Sequence, residues 1–163
     1  MTNAEKLQTK MSAIDKIEKI YGKACTESNL VIANIPFPLV IAWDKTKTTR
    51  KIQCHKLVKN DIENIFKDIL KEYGLSKIKE LGIDIYGGCY NCRLMRGGTK
   101  QSMHAYGIAV DIDPERNQLK WGKDKAQFAK PEYKKMIDIF YKYGWESLGV
   151  EKNYDWMHMQ KKI

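Results

Sequence analysis

Apolar residues recur at spacings of three and four from Leu7 through Met11, Ile14 and Ile17 to Tyr21, with lysines and acids between them. That period predicts an amphipathic helix over 4–21, stopped by Gly22. Such a helix packs on a core, binds an anionic wall or lies at a membrane surface, and covering a core is its commonest use. Residues 30–43 are apolar but interrupted by Pro36 and Pro38. Proline cannot donate to a ladder, so this stretch permits short strands or extended edge segments and excludes a continuous central strand. A further short strand is read at 51–56. Ile62, Ile65, Phe66, Ile69 and Leu70 share one face of a helix over 61–73, with Asn60 or Asp61 as cap and Gly74 as stop.

Beyond this helix the pattern shortens. Residues 83–86 suit a strand, Gly87 and Gly88 a turn, and Gly97 and Gly98 a loop. The run 108–112 is apolar apart from Asp111, which fits a buried strand presenting one carboxylate. Asp113 and Pro114 then start a turn that Asn117 fixes locally. A second helix is predicted over 131–143, with Pro131 in its first turn and Tyr133, Met136, Ile137 and Phe140 facing inward. Residues 154–159 form a closing strand or turn that returns His158 to the centre. Without repeats or linkers, the predicted fold is α+β, a small mostly antiparallel sheet with packed helices and a site in its central cleft.

At 163 residues the chain is long enough for one self-sufficient domain. A net charge of +9 implies an anionic partner. The lysines are spread from Lys6 to Lys162 and no nucleic-acid motif accompanies them, so nucleic acid is not expected. Anionic wall polymers fit the charge equally well. The N-terminus lacks the apolar core of a signal peptide, and no segment approaches the roughly 18 apolar residues of a membrane span. Synthesis in the cytoplasm is therefore expected, and a single copy is the expected state.

The candidate chemistry centres on His104 and Asp111, followed near the C-terminus by Asp155 and His158. A catalytic zinc takes about three protein ligands and keeps one position open for water. Two imidazoles and one carboxylate supply such a set, and a second carboxylate is left to act as a base. His104 and Asp111 are an odd number of residues apart, which would send them to opposite faces of one straight strand. The chain must turn between them, and Gly107 is the natural place. Spacing alone leaves open whether these histidines are ligands or ordinary polar residues of a half-buried sheet. Of the four cysteines, Cys89 and Cys92 form a close pair, but no second close pair completes a zinc ribbon. Free, mostly buried thiols are expected for Cys25, Cys54, Cys89 and Cys92, with a second metal or a disulfide as the alternatives. His55 is read as a strand residue. Trp145 and Trp156 are expected in the core rather than stacked on a sugar.

Ser102, His104, Gly107, Ala109 and Asp111, followed by Asp155 and His158, resemble the signature of the zinc D-Ala-D-Ala carboxypeptidase family, which includes phage L-alanyl-D-glutamate endopeptidases. The resemblance runs from about residue 35 to the end. It implies zinc held by His104, Asp111 and His158, with Asp155 as general base. Aspartate at that position is similar to the phage branch, where many other relatives carry glutamate. The resemblance further implies an arginine against the substrate, best matched by Arg93 with Arg96 competing, and Ser102 beside the substrate. Without it, Arg93 reads as a solvated surface cation. The run Gly144, Trp145, Glu146, Ser147, Leu148, Gly149 departs from the phage pattern of an aromatic and paired glycines, which puts the cleft wall and substrate choice in question. The implied organisation is an N-terminal helix and connector over 1–28 packed on a catalytic domain over 29–163. The implied activity is hydrolysis of the peptidoglycan stem peptide, as an endolysin reaching the wall after holin-type release. The alternatives are a D-Ala-D-Ala carboxypeptidase or dipeptidase, and a non-catalytic cell-wall or polyanion binding module.

Overall fold

Six strands form one sheet in the order β2-β1-β3-β4-β6-β5, in a computed structural model that describes residues 2–98 and 100–163, with the side chains of 7–12 outside the description. The strands are β1 (Leu30–Ile41), β2 (Thr48–His55), β3 (Ile85–Gly88), β4 (Ala109–Ile112), β5 (Trp145–Ser147) and β6 (His158–Lys161). The β1–β3 pair is parallel and the other neighbours are antiparallel. Four α-helices accompany the sheet among the described residues: α1 (Asn3–Tyr21), α2 (Lys59–Leu81), α3 (Lys134–Lys142) and α4 (Leu148–Lys152). The α+β class and the mostly antiparallel sheet agree with the sequence pattern.

Helix α2 packs on β1, and α3 on β5. The α2 face made by Ile62, Ile65, Phe66 and Ile69 is fully buried, as are Met136 and Phe140 of α3. Each such side chain contributes about 1.5–3 kcal/mol by leaving water. On the sheet, Val110 and Ile112 of β4 and Met159 of β6 join this core. Side chains alternate along a strand, so Asp111 and His158 point to the opposite face. That alternation separates the hydrophobic core from the candidate chemistry.

The prolines do not break β1, contrary to expectation. Pro36 and Pro38 fall where the register with β2 shifts, between Asn34 and Leu39, and β3 pairs only with Val40 and Ile41. No ladder bond is asked of either proline. At the shift, the Asn34 N–H donates to Glu63 of α2 at 2.8 Å, and Arg50 donates to the Pro36 carbonyl at 3.3 Å.

Helix α2 starts before the expected cap and runs on to Leu81, past Gly74, whose φ of 74° and ψ of 157° kink it. Asp61 instead accepts from Trp145 Nε1 and Lys161 Nζ, tying α2 to β5 and β6. In α1, Ile17 and Tyr21 reach the core while Ile14 is exposed, so among its described side chains the packing lies in the last turns. Leu7 and Met11 lie outside the described side chains.

The cysteines require a correction. Cys25 and Cys92 form a disulfide, while Cys54 and Cys89 are free and buried. The two bonded residues are far apart in sequence and meet because the Cys25 N–H bonds the Ala105 carbonyl and the Asn91 N–H bonds that of His104, gathering both segments around one turn.

Candidate active site

His104 is placed by a short 3-10 turn, Met103–Tyr106, between the loop and β4. Ser102 caps that turn, its hydroxyl accepting from the His104 N–H at 3.2 Å, and is itself buried. Gly107 ends the turn at φ 75°, in the left-handed region where a side chain is strained. A Cβ there would stand 2.7 Å from the backbone nitrogen of His55. The expected bend between His104 and Asp111 is at Gly107.

Asp111 and His158 are cross-strand partners in the β4–β6 register, and Asp111 faces Gly88 across β3. Gly87 leaves room beside them, since a Cβ there would come within 3.0 Å of the Asp111 Cβ. Asp155 sits in the turn before β6 at φ 54°, its N–H bonded to the Leu119 carbonyl at 2.8 Å. A non-glycine residue in the left-handed region costs about 1–2 kcal/mol, which this turn sustains to aim a carboxylate inward.

His104, Asp111 and His158 therefore converge, with one ligand atom from each lying within 4.8 Å of the others. His104 Nε2 is 3.2 Å from Asp111 Oδ2, and His158 Nδ1 is 3.2 Å from Asp111 Oδ1. Donors held tetrahedrally at about 2.0–2.1 Å from zinc are separated by roughly 3.3 Å. Each imidazole is anchored through its other nitrogen, His104 Nδ1 on the Cys89 carbonyl at 2.7 Å and His158 Nε2 on Gln160 Oε1 at 2.8 Å. Such anchors fix ring orientation and tautomer in metal sites. Among the described residues, His104 Nε2 and Asp111 Oδ1 are the buried side-chain atoms without a hydrogen-bond partner. Buried polar atoms are costly unless something satisfies them, and a cation between these donors would. The two nitrogens and one carboxylate suit zinc.

The electrostatics agree. Burial raises the Asp111 pKa, but the two imidazoles beside it more than reverse this and hold it well below the usual carboxylate range. His158 is raised, because Asp111 and Asp155 outweigh the burial that opposes its charge. Asp155 is raised by burial, against the pull of His158. Its Oδ2 lies 3.8 Å from His158 Nδ1, at the edge of the cluster rather than inside it.

These residues floor a cleft of about 490 Å³ that Arg93, Arg96 and Ser102 also line. The arginines stand on a small hairpin in which Leu94 bridges Gln101 and the Ser102 N–H bonds the Arg93 carbonyl. Arg93 Nη1 donates to the neighbouring Leu94 carbonyl at 3.3 Å, whereas the charge of Arg96 is close enough to Asp155 to favour its ionised form. All seven sequence-predicted site residues thus line one cleft. The predicted core positions of Trp145 and Trp156 are also found, and His55 is a buried β2 residue bonded to the Tyr21 carbonyl at 2.7 Å. The sequence reading did not single out Gln160, which lies two residues after His158 on the same face of β6, or the Cys89 carbonyl, which reaches His104 by tertiary approach.

Residues 96–161 match the model of a protein family described as D-alanyl-D-alanine carboxypeptidase, and that stretch contains His104, Asp111, Asp155 and His158. That stretch, less than half of the chain, is similar to this family, and it holds a group of side chains able to bind a metal ion. The match begins at Arg96, so Arg93 lies outside it. No curated protein matches the chain significantly. As a zinc-dependent peptidase, the enzyme would draw its candidate ligands from three elements: the capped turn after the hairpin, β4 and β6. No helix of the described residues is long and apolar enough to cross a membrane.

Proposed function

We propose that the protein hydrolyses the stem peptide of bacterial peptidoglycan as an L-alanyl-D-glutamate endopeptidase of the phage endolysin kind, with one catalytic zinc held by His104, Asp111 and His158. The observation that supports the endopeptidase reading is that Asp111 lines three adjoining hollows, which gives a substrate room beyond the reaction cleft itself. A carboxypeptidase needs less such room, because its substrate ends just beyond the scissile bond.

Bound zinc supplies Lewis acidity, polarising a carbonyl and making water a competent nucleophile near neutral pH. Asp155 takes the proton from the attacking water and delivers it to the leaving amine, a task that its raised pKa favours. Arg96, with Arg93 beside it, holds substrate carboxylates and stabilises negative charge developing on oxygen. Ser102 keeps His104 in place from beneath. The Cys25–Cys92 disulfide suits work outside the reducing cytoplasm, in keeping with action on the wall after holin-type release.

Mass spectrometry of purified peptidoglycan, digested with and without a zinc chelator, tests the proposal. Chelator-sensitive fragments with a new amino terminus at D-glutamate are expected. Release of D-alanine alone would replace the endopeptidase reading with a carboxypeptidase, and no release from several wall types would favour a binding module.

A further inference from the structure

The cleft does not end at Asp111. A second hollow of about 630 Å³ shares Arg96, Asp111 and Lys120 with the first, and its wall includes Trp43 and Trp121. Trp43 is 69% exposed, the most exposed of the large hydrophobic side chains among the described residues. Leaving an indole in water forgoes the favourable burial of a large apolar surface. A lone exposed apolar residue needs no explanation, but this one stands at the rim of a hollow that opens on a candidate metal ligand and has a second indole in its wall.

The hollow is also braced. The Trp43 ring is 6.5 Å from that of Tyr86, a buried residue, at an interplanar angle of 49°. Just before it, the Ala42 N–H bonds the Tyr86 carbonyl at 3.0 Å, extending the β1–β3 pairing. Lys45, in the same loop, forms an ion pair with Glu115 at 2.5 Å, linking the Trp43 loop to the segment after β4. That segment is fastened in turn by Asp113 to Arg116, and Arg116 to the Leu81 carbonyl. On the Trp121 side, the Trp121 N–H bonds the Gln118 carbonyl at 2.9 Å.

A pyranose ring has faces of C–H groups and an edge of hydroxyl and amide groups. The hollow offers indoles for the first and Gln118, Lys120 and Arg96 for the second. We propose that this hollow is a saccharide subsite, binding an N-acetylated amino sugar of the glycan strand between Trp43 and Trp121. The proposal rests on the reading of the protein as a stem-peptide hydrolase and deepens it. L-Alanine is joined directly to the sugar's lactyl group, so a sugar pocket sharing Asp111 with the reaction cleft is within reach of an L-alanyl-D-glutamate bond. A bond at the D-alanine end of the stem lies several residues farther from the sugar.

Two measurements test it. The first is an NMR titration of the full chain with a peptide-free tetrasaccharide of alternating N-acetylglucosamine and N-acetylmuramic acid. The indole N–H signals of Trp43 and Trp121 are expected to shift, and Trp43→Ala to weaken binding about three- to ten-fold, the size of one aromatic contact. Trp43→Phe should recover part of the loss. Unmoved indole signals, or unchanged affinity in Trp43→Ala, would overturn the subsite. The second compares kcat/KM for a disaccharide-linked stem peptide and for the same peptide without sugar. The wild type should prefer the linked substrate, and Trp43→Ala should lose more kcat/KM on the linked substrate than on the sugar-free peptide. Equal loss on both substrates would overturn the proposal. If neither peptide is cleaved by the wild type, the stem-peptide reading fails, and the titration still decides whether the hollow takes sugar.

Discussion

Gln160 Oε1 accepts from His158 Nε2 at 2.8 Å, and the Gln160 amide nitrogen donates onward to Glu146 at 3.0 Å. The pair leaves His158 Nδ1 free to face Asp111, so the ring presents the nitrogen that the cluster requires. Replacing Gln160 by Ala should lower zinc affinity about 10- to 100-fold, the usual effect of losing a ligand's anchor. Competition with a chromophoric chelator measures the affinity, and nitrogen chemical shifts of His158 report whether its tautomer becomes mixed. Unchanged affinity with an unchanged tautomer would remove Gln160 from the site.

Asp155 and His104 should separate when tested in parallel. Asp155→Ala is expected to retain zinc while kcat falls by about 10² to 10⁴, the range for loss of a general base. His104→Ala should lose both metal and turnover. Metal analysis of the purified variants beside a hydrolysis assay makes the distinction, and equal zinc loss in the two would refute the division of roles.

The pH dependence follows from the two shifted partners. Asp111 is lowered, so its contribution to stability is present above the ordinary carboxylate range and is lost as pH falls through its folded-state pKa. His158 is raised, so its contribution is full below the ordinary histidine pKa and is lost as pH rises through its folded-state value. The metal-free protein should therefore be most stable between these limits. Zinc must displace the proton that His158 holds, so metal affinity and activity should decline as pH falls below neutrality. A chelator titration at several pH values tests this, and an activity profile that stays flat to about pH 4 would contradict it.

Gly107→Ala should destabilise the fold by more than about 2 kcal/mol, since it adds a Cβ against the backbone of β2 at a left-handed position. Thermal unfolding of the metal-free variant measures this. A melting temperature equal to that of the wild type would show that the turn can relax.

The sequence carried the helices well, because Ile62, Ile65, Phe66 and Ile69, and likewise Tyr133, Met136, Ile137 and Phe140, repeat at helical spacing and are buried. It misled at β1, where prolines usually end pairing. The register shift that accommodates them depends on Glu63 and Arg50, which arrive from other elements. Strand β5 is too short to show any period. His104, Asp111 and His158 could be proposed from a compact motif, whereas the Cys89 carbonyl reaches His104 from a segment distant in sequence, and Trp43 and Trp121 meet in one hollow only in the fold. The Cys25–Cys92 bond was unreadable for the same reason, and an argument from compartment pointed the other way.

That bond encloses β1, β2, α2 and β3, while His104, Asp111 and His158 all follow Cys92. The chain thus has two fastenings that do not overlap, a covalent one around its first half and a coordinate one, when metal is bound, across its second. A reductant and a chelator should loosen different ends of the same sheet, and hydrogen exchange would show each agent unprotecting its own set of strands.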